Sequence, residues 1–460
     1  MRTNLKTIKL LAVLVALMPF ASFAQENTEV KTTATEAAKS TEREFYLRPS
    51  YWRPHDQSSQ TIFETGKTPD PIPFEGLRFR MGAGFTQEFQ GLKHSNTSKV
   101  PLYEMGPGFN LAMANMIFDV QLGDGIRLDL ETYLSTRHHN ETWVKGGYIQ
   151  FDKLPFKSAF FDKLMEYATI KIGHMEINYG DAHFRRSDAG KTIQNPFAEN
   201  LIVDAFSTEI GGEVYLQKNG FFGMIGATNG TINSSIGKQN PDFEKDSAKN
   251  PAVYFKAGID KTVGIFRGRL TGSAYMNNKS QRNVLYAGDR GGSWYWGVMD
   301  PKGADLKANF TSGRFAPNFS RNVRAIMLNG FAQANLGVAT FEFFGTYETA
   351  KGNAETAADP NLRKMNQVAV EGLVRLGKKQ NLYGGIRYNT VDAEMPGFTT
   401  NVNIDRTALA AGWFLTKNVL LKGEYVWQNY KNFENTTVPN TNILAGGNFK
   451  GYVLQAVVGF

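Results

Sequence analysis

The run Tyr452-Val-Leu-Gln-Ala-Val-Val-Gly-Phe460 constrains the fold more than any other part of the chain. At period two, Tyr452, Leu454, Ala456, Val458 and Phe460 share one face, and the last residue is aromatic. Such a strand is suited to a wall that meets lipid. Strands can span a bilayer only in a closed barrel, because an open edge would leave backbone groups without partners.

The other end of the chain agrees. Residues 1–24 read as a secretory signal, with a basic head (Arg2, Lys6, Lys9), an apolar run from Leu10 to Phe20, and small residues Ser22 and Ala24 before the expected cut. That leader is too short to span a membrane stably, and no later stretch is apolar enough to form a transmembrane helix. The mean hydropathy is −0.34. An exported membrane protein without spanning helices must be a barrel. The terminal strand resembles the one that the outer-membrane insertion machinery reads in Gram-negative barrel proteins, which predicts that location. The absence of cysteine is compatible with export. Aromatic residues make up 13% of the chain, enough to furnish interfacial belts. The net charge of +8 falls to +5 once the three basic leader residues are removed, too little to predict a nucleic-acid partner.

Residues 25–74 are expected to be a polar periplasmic segment. Within it, 25–43 is Thr/Ala/Glu-rich and predicted disordered. Residues 45–74 combine aromatics with Pro54, Pro69, Pro71 and Pro73 and fit either a strap or a short plug. From Leu77 onward, polarity alternates over sixteen stretches: 77–93, 109–122, 125–137, 142–153, 167–175, 205–218, 220–233, 251–261, 264–278, 322–336, 338–350, 364–377, 380–391, 403–416, 418–430 and 449–460. Tight turns such as Lys218-Asn219-Gly220 alternate with long polar connections, as in outer-membrane barrels. The connection 154–166 falls on the short-turn side and is predicted to hold a brief helix. The fold expected for 75–460 is all-β, a transmembrane antiparallel β-barrel of about sixteen strands.

Alternation also names the lumen. Arg78 and Arg80, then Arg127, Asp129 and Glu131, then Arg267 and Arg269, and Glu342 are predicted to line it; Arg406, Lys422 and Glu424 point the same way. So many charges predict a wet interior, since burying them dry is costly. Sixteen strands are also wide enough to leave an aqueous channel.

The third long connection, 176–204, follows Ile170-Lys-Ile-Gly-His-Met-Glu176. With Lys171, Gly173 and Met175 it resembles the phosphate-selective porin O and P family, although Asn178-Tyr179-Gly180 stands where that family has a Pro-containing turn. The resemblance implies a porin, with a homotrimer among the assemblies it admits, whose third loop folds inward and narrows the pore. His183, Arg185, Arg186 and Lys191 are the candidate pore constriction. The family's basic ladder does not carry over, because lumen cations here are interleaved with Asp and Glu. The function expected is passive diffusion of small polar or anionic solutes across the outer membrane, with lipid as partner and no cofactor. The alternatives are a substrate-specific transporter for hydrophobic compounds with a short N-terminal hatch, and a structural or adhesive barrel using the loop 279–321. No catalytic or metal site is predicted: His138-His139 lacks a partner at ligand spacing, and no G-x-S-x-G, H-E-x-x-H or P-loop pattern occurs.

Overall fold

A computed structural model of the chain describes residues 52–67, 73–236, 250–278, 283–353, 361–434, 436 and 441–460. The signal at 1–24, the segment 25–43, and Phe45, Tyr46 and Tyr51 lie outside the described residues. The strands are β1 (Arg78–Ser95), β2 (Gly108–Phe109), β3 (Met113–Gly123), β4 (Ile126–Ser135), β5 (Trp143–Phe151), β6 (Ala168–Glu176), β7 (Thr208–Lys218), β8 (Phe221–Thr228), β9 (Ala252–Val263), β10 (Phe266–Asn277), β11 (Arg321–Asn335), β12 (Ala339–Asn353), β13 (Arg363–Leu376), β14 (Leu382–Ala393), β15 (Val402–Thr416), β16 (Val419–Lys431) and β17 (Asn448–Gly459). The two-residue β2 only extends the rim beside Phe89 and Gln90 of β1. The other sixteen correspond one for one to the stretches that alternation predicts. A seven-residue helix, α1 (Ala159–Met165), occupies the connection between β5 and β6, where one is expected.

Every neighbouring pair is antiparallel, and the sheet closes on itself. β17 pairs with β1 from Gly84↔Gly459 to Ser95↔Asn448, so the terminal strand is the seam of the barrel. Closure leaves no strand edge for another chain to pair with. Local chemistry places the turns. Between β7 and β8 the two loop residues Asn219 and Gly220 have φ of 52° and 81°, the positive pair that a two-residue hairpin turn needs.

The outer face is apolar. On β12, Phe341, Phe343 and Tyr347 are exposed while Glu342, Thr346 and Glu348 are buried between them. The same alternation gives outward Phe79 and Met81 on β1, and outward Leu421, Tyr425 and Trp427 on β16. An apolar belt running around a closed barrel is stable only against lipid. This is a transmembrane barrel of the outer-membrane type. Among the described residues no helix is long and apolar enough to cross a membrane.

Candidate functional site

The lumen is far more occupied than an open sixteen-strand channel. Its first occupant is the segment 52–67. A 3-10 turn at Gln57–Thr61 is capped by Asp56, which accepts from Ser58 N at 3.0 Å. Gln57 anchors it to the short-turn end, donating from its backbone to Lys417 O (2.8 Å) and from its side chain to Lys379 O (3.0 Å) and Gln380 O (2.9 Å). Gln60 then reaches across the interior: it accepts from Arg375, donates to Ile193 O (2.8 Å), and offers its own carbonyl to Arg185 (3.1 Å). Phe63 is buried against Phe331, Phe184 and Phe344, with ring centroids at 5.4, 5.9 and 6.5 Å. Glu64 pairs with Lys256 (2.8 Å) and Arg269 (2.6 Å). Of the two alternatives for this region, strap or plug, residues 52–67 take the plug.

The second occupant is the loop 177–207, buried along nearly its whole length. Irregular backbone at membrane depth is tolerated only where protein satisfies its polar groups. That is the work of the inward-facing charges. Lys422 Nζ donates to Thr192 O, Asn195 O and Phe197 O at 2.8–2.9 Å. Arg387 donates to Glu199 O at 2.7 Å and Arg406 to Asn200 O at 2.6 Å. Asp181 accepts from Arg269 and Thr271 and pairs with Lys256 at 2.7 Å. Where the loop touches the wall, glycine lets backbone meet backbone: a Cβ on Gly190 would lie 2.6 Å from Ala114 Cα. Above it, Arg314 of the long connection between β10 and β11 pairs with Glu199 (2.8 Å), Asp204 (3.2 Å) and Asp289 (2.7 Å).

The residues expected at a constriction fall into two pairs. Arg185 and Arg186 are buried within this packing, Arg185 against Glu371 (3.3 Å), Arg186 against Asp188 (3.2 Å), Asp204 (2.7 Å) and Asp289 (2.8 Å). His183 bonds Glu176 (2.6 Å) and Asn178 (3.0 Å). Burial pushes the His183 imidazole below its usual range although Glu176 pulls the other way. Lys191 pairs with Glu131 at 3.0 Å.

The lumen-lining residues all face inward, with different company. Arg78 sits at the mouth and donates to Pro73 O (2.7 Å). Arg80 pairs with Asp119 and donates to Arg53 O (2.9 Å). Arg127 pairs with Asp119 (3.4 Å) and donates to Tyr148 Oη (2.9 Å). Glu131 is shared by Lys145 and Lys191, both at 3.0 Å. Arg267 holds Asp260 (2.8 Å), and Glu342 holds Arg375 (2.7 Å). The expectation of an open wet lumen is therefore corrected: most of these charges pair with a neighbouring strand of the wall, and the plug and the loop fill much of the space in front of them.

Space remains on one side, against β3 to β7. A cavity open to water-molecule centres over about 150 Å³ lies between that wall, the plug and the loop. One water needs roughly 10–15 Å³ on this measure, so there is room for about ten waters or a small solute. Its lining includes Asp119, Arg127, Asp129, Glu131, Lys145, Tyr148, Lys171 and Tyr215, with Arg53 and Glu64 from the plug and His183 and Lys191 from the loop. Lys145, Tyr148, Lys171 and Tyr215 are absent from the predicted lumen set; a period-two reading of β5 to β7 reaches Tyr148, Lys171 and Tyr215, whereas Lys145 has the opposite parity from Tyr148 and turns inward at a register shift in the β4–β5 pairing.

No family model matches this sequence, and no curated protein is similar to it by sequence. Among solved structures, an anion-selective porin from Comamonas acidovorans is 10% identical with a TM-score of 0.48, covering 84% of this chain and 100% of its own. The outer-membrane channel DcaP of Acinetobacter baumannii has a TM-score of 0.48 at 10% identity, covering 85% and 99%. The in-vitro folded outer-membrane protein OmpT of Vibrio cholerae has 0.47 at 12% identity, covering 85% and 99%. Scores at this level carry no information on solute or assembly.

Proposed function

We propose that the protein is an outer-membrane channel for passive diffusion of small polar or anionic solutes, with the cavity beside β3 to β7 as its solute-bearing part. The observation that carries this reading is that cavity: a wet, charge-lined space inside a lipid-facing barrel whose remaining lumen is packed. His183 and Lys191 line it and are the constriction residues retained in the proposal, while Arg185 and Arg186 serve to hold the loop in place. Residues 52–67 close the short-turn mouth and set a resting state of low flux.

The seated plug also favours the second reading, a transporter with an N-terminal hatch. The charged lining favours polar over hydrophobic compounds as its cargo.

Single-channel recording in planar bilayers, with reversal potential under a salt gradient, tests the proposal on the full chain and on a variant lacking residues 52–67. Small or infrequent openings in the first and larger, stable steps in the second are expected. Silence in both, with the barrel folded, overturns it.

A further inference from the structure

Nearly every charge lining the cavity already has a partner. Lys145 is held by Glu131, Glu176 and Asp188, at 3.0, 3.5 and 2.5 Å. Lys191 is held by Glu131, Glu64 by Lys256 and Arg269, and Asp119 by Arg80 and Arg127. Two lining charges differ. Arg53 is held by the carbonyls of Ile62 (3.0 Å) and Phe184 (2.7 Å), whereas among the described residues neither Asp129 nor Lys171 makes a hydrogen bond or an ion pair.

The absence of a partner for Lys171 has a visible cause. Directly opposite it in the β6–β7 register stands Glu213. That carboxylate is already taken by three donors, Asn178 N (2.9 Å), Tyr215 Oη (2.6 Å) and Tyr254 Oη (2.9 Å). The Lys171 ammonium instead lies between two rings, with Nζ 5.2 Å from the centroid of Tyr148 and 4.9 Å from that of Tyr215. The rings stabilise its charge and fix its position without using any of its three N–H donors.

Asp129 is placed in a complementary way. It stands opposite Asp119 on β3, whose charge repels it and whose cations are already engaged. On its other side it stands opposite Tyr148 of β5, and Tyr148 in turn opposite Gly173 of β6, two residues from Lys171. Two strand steps and two residues separate the α-carbons by roughly 12 Å. Both side chains line the same cavity, with Tyr148 on the strand between them.

The geometry points to a binding site for a small zwitterion, with a carboxylate received by Lys171, an ammonium by Asp129, and Tyr148 as the floor between them. This rests on the channel reading for its biological sense, since it names the solute class, but the site itself does not depend on conduction. A simple anion would use Lys171 and be repelled by Asp129, and a simple cation the reverse. Only a solute carrying both charges satisfies both groups at once.

Three probes with the same three-carbon skeleton separate these cases: β-alanine, propionate and propylammonium, titrated calorimetrically into the purified full-length barrel in detergent at pH 7. β-Alanine is expected to bind about tenfold or more tighter than either single-charge probe, the order expected when one charge-assisted contact is lost. Asp129→Asn and Lys171→Met should each erase that margin. Neither removes an existing ion pair, and the heat-dependent shift in gel mobility checks that both barrels fold. Propionate binding as tightly as β-alanine, with Asp129→Asn silent, overturns the proposal in favour of a plain anion site. No binding of any probe to wild type also overturns it. Zwitterion binding by a barrel silent in bilayers leaves the site standing and removes the channel reading, whereas conduction without binding does the reverse.

Discussion

Phe63→Ala tests whether the plug is a gate or a fixed part of the wall. The ring is 2% exposed, sits in a cage of three phenylalanines, and has the Arg269 guanidinium 4.3 Å above it. Truncating a buried Phe to Ala costs about 3–5 kcal/mol, the loss of an aromatic cage included. The cost falls on the docking of segment 52–67, because the barrel's ladder runs from β1 to β17 without it. At about 1.4 kcal/mol per factor of ten, the ratio of undocked to docked segment rises by roughly two to three and a half orders of magnitude. The Gln57, Gln60 and Glu64 contacts remain, so the docked form persists but opens far more often. Two assays read this: the frequency of open steps in bilayers, and trypsin cleavage at Lys67, which the docked segment holds against Asp152. Phe79→Ala, on the lipid face, serves as the control and should change neither. If Phe63→Ala folds and shows wild-type openings and wild-type cleavage, the plug is not held as described and the gating argument fails.

Acid should loosen the outer cap before the barrel. Burial alone would raise the carboxyls of Asp289 and Glu199, but Arg314 and Arg186 beside the first, and Arg314 and Arg406 beside the second, hold both below the usual carboxylate range. Depressed carboxyls contribute stability above their unfolded value of about 4 and lose it as pH falls through the folded one. Protection factors of amides in 283–320, exchange rates corrected for the intrinsic pH dependence, should therefore stay level from pH 8 to about 5 and fall below about 4; equal protection factors at pH 7 and pH 3 would count against the pairing. On the lipid face, Phe343→Arg should destabilise the barrel by about 2–4 kcal/mol if it lies near the bilayer midplane. Urea unfolding in vesicles measures this, and an unchanged midpoint would remove β12 from the lipid-facing belt.

Alternation in the sequence was enough to find the sixteen spanning strands and to turn Arg78, Arg127, Arg269 and Glu342 inward, because a period of two depends only on which side of the sheet meets lipid. It says nothing of what stands opposite. Glu64 meets Arg269 from a segment about two hundred residues away, and Gln60 meets Arg375 from 315 residues away. No local pattern records such partners, so an inward face that reads as wet is in fact packed. The segment 45–74 was ambiguous for a related reason: prolines and aromatics suit an external strap and an internal plug equally. Lys171 was visible as part of a strand motif. What distinguishes it is that Glu213 is occupied by Asn178 and two tyrosines, and only the folded loop brings Asn178 there.

The same comparison explains why the lumen is rich in charge while so little of it is free. A loop and a plug inside a barrel expose backbone carbonyls and N–H groups in non-repeating positions, and a strand wall cannot match them with its own backbone, which is committed to the ladder. Long side chains with several donors can. Lys422 serves three carbonyls, and Arg406 serves one of the loop at Asn200 and another at Gly313. Inward cations used this way are structural, and counting them gives no measure of anion preference. On the channel reading proposed above, selectivity would have to come from the few charges that this packing leaves unpaired, and along the cavity wall of β4 to β6 those are Asp129 and Lys171.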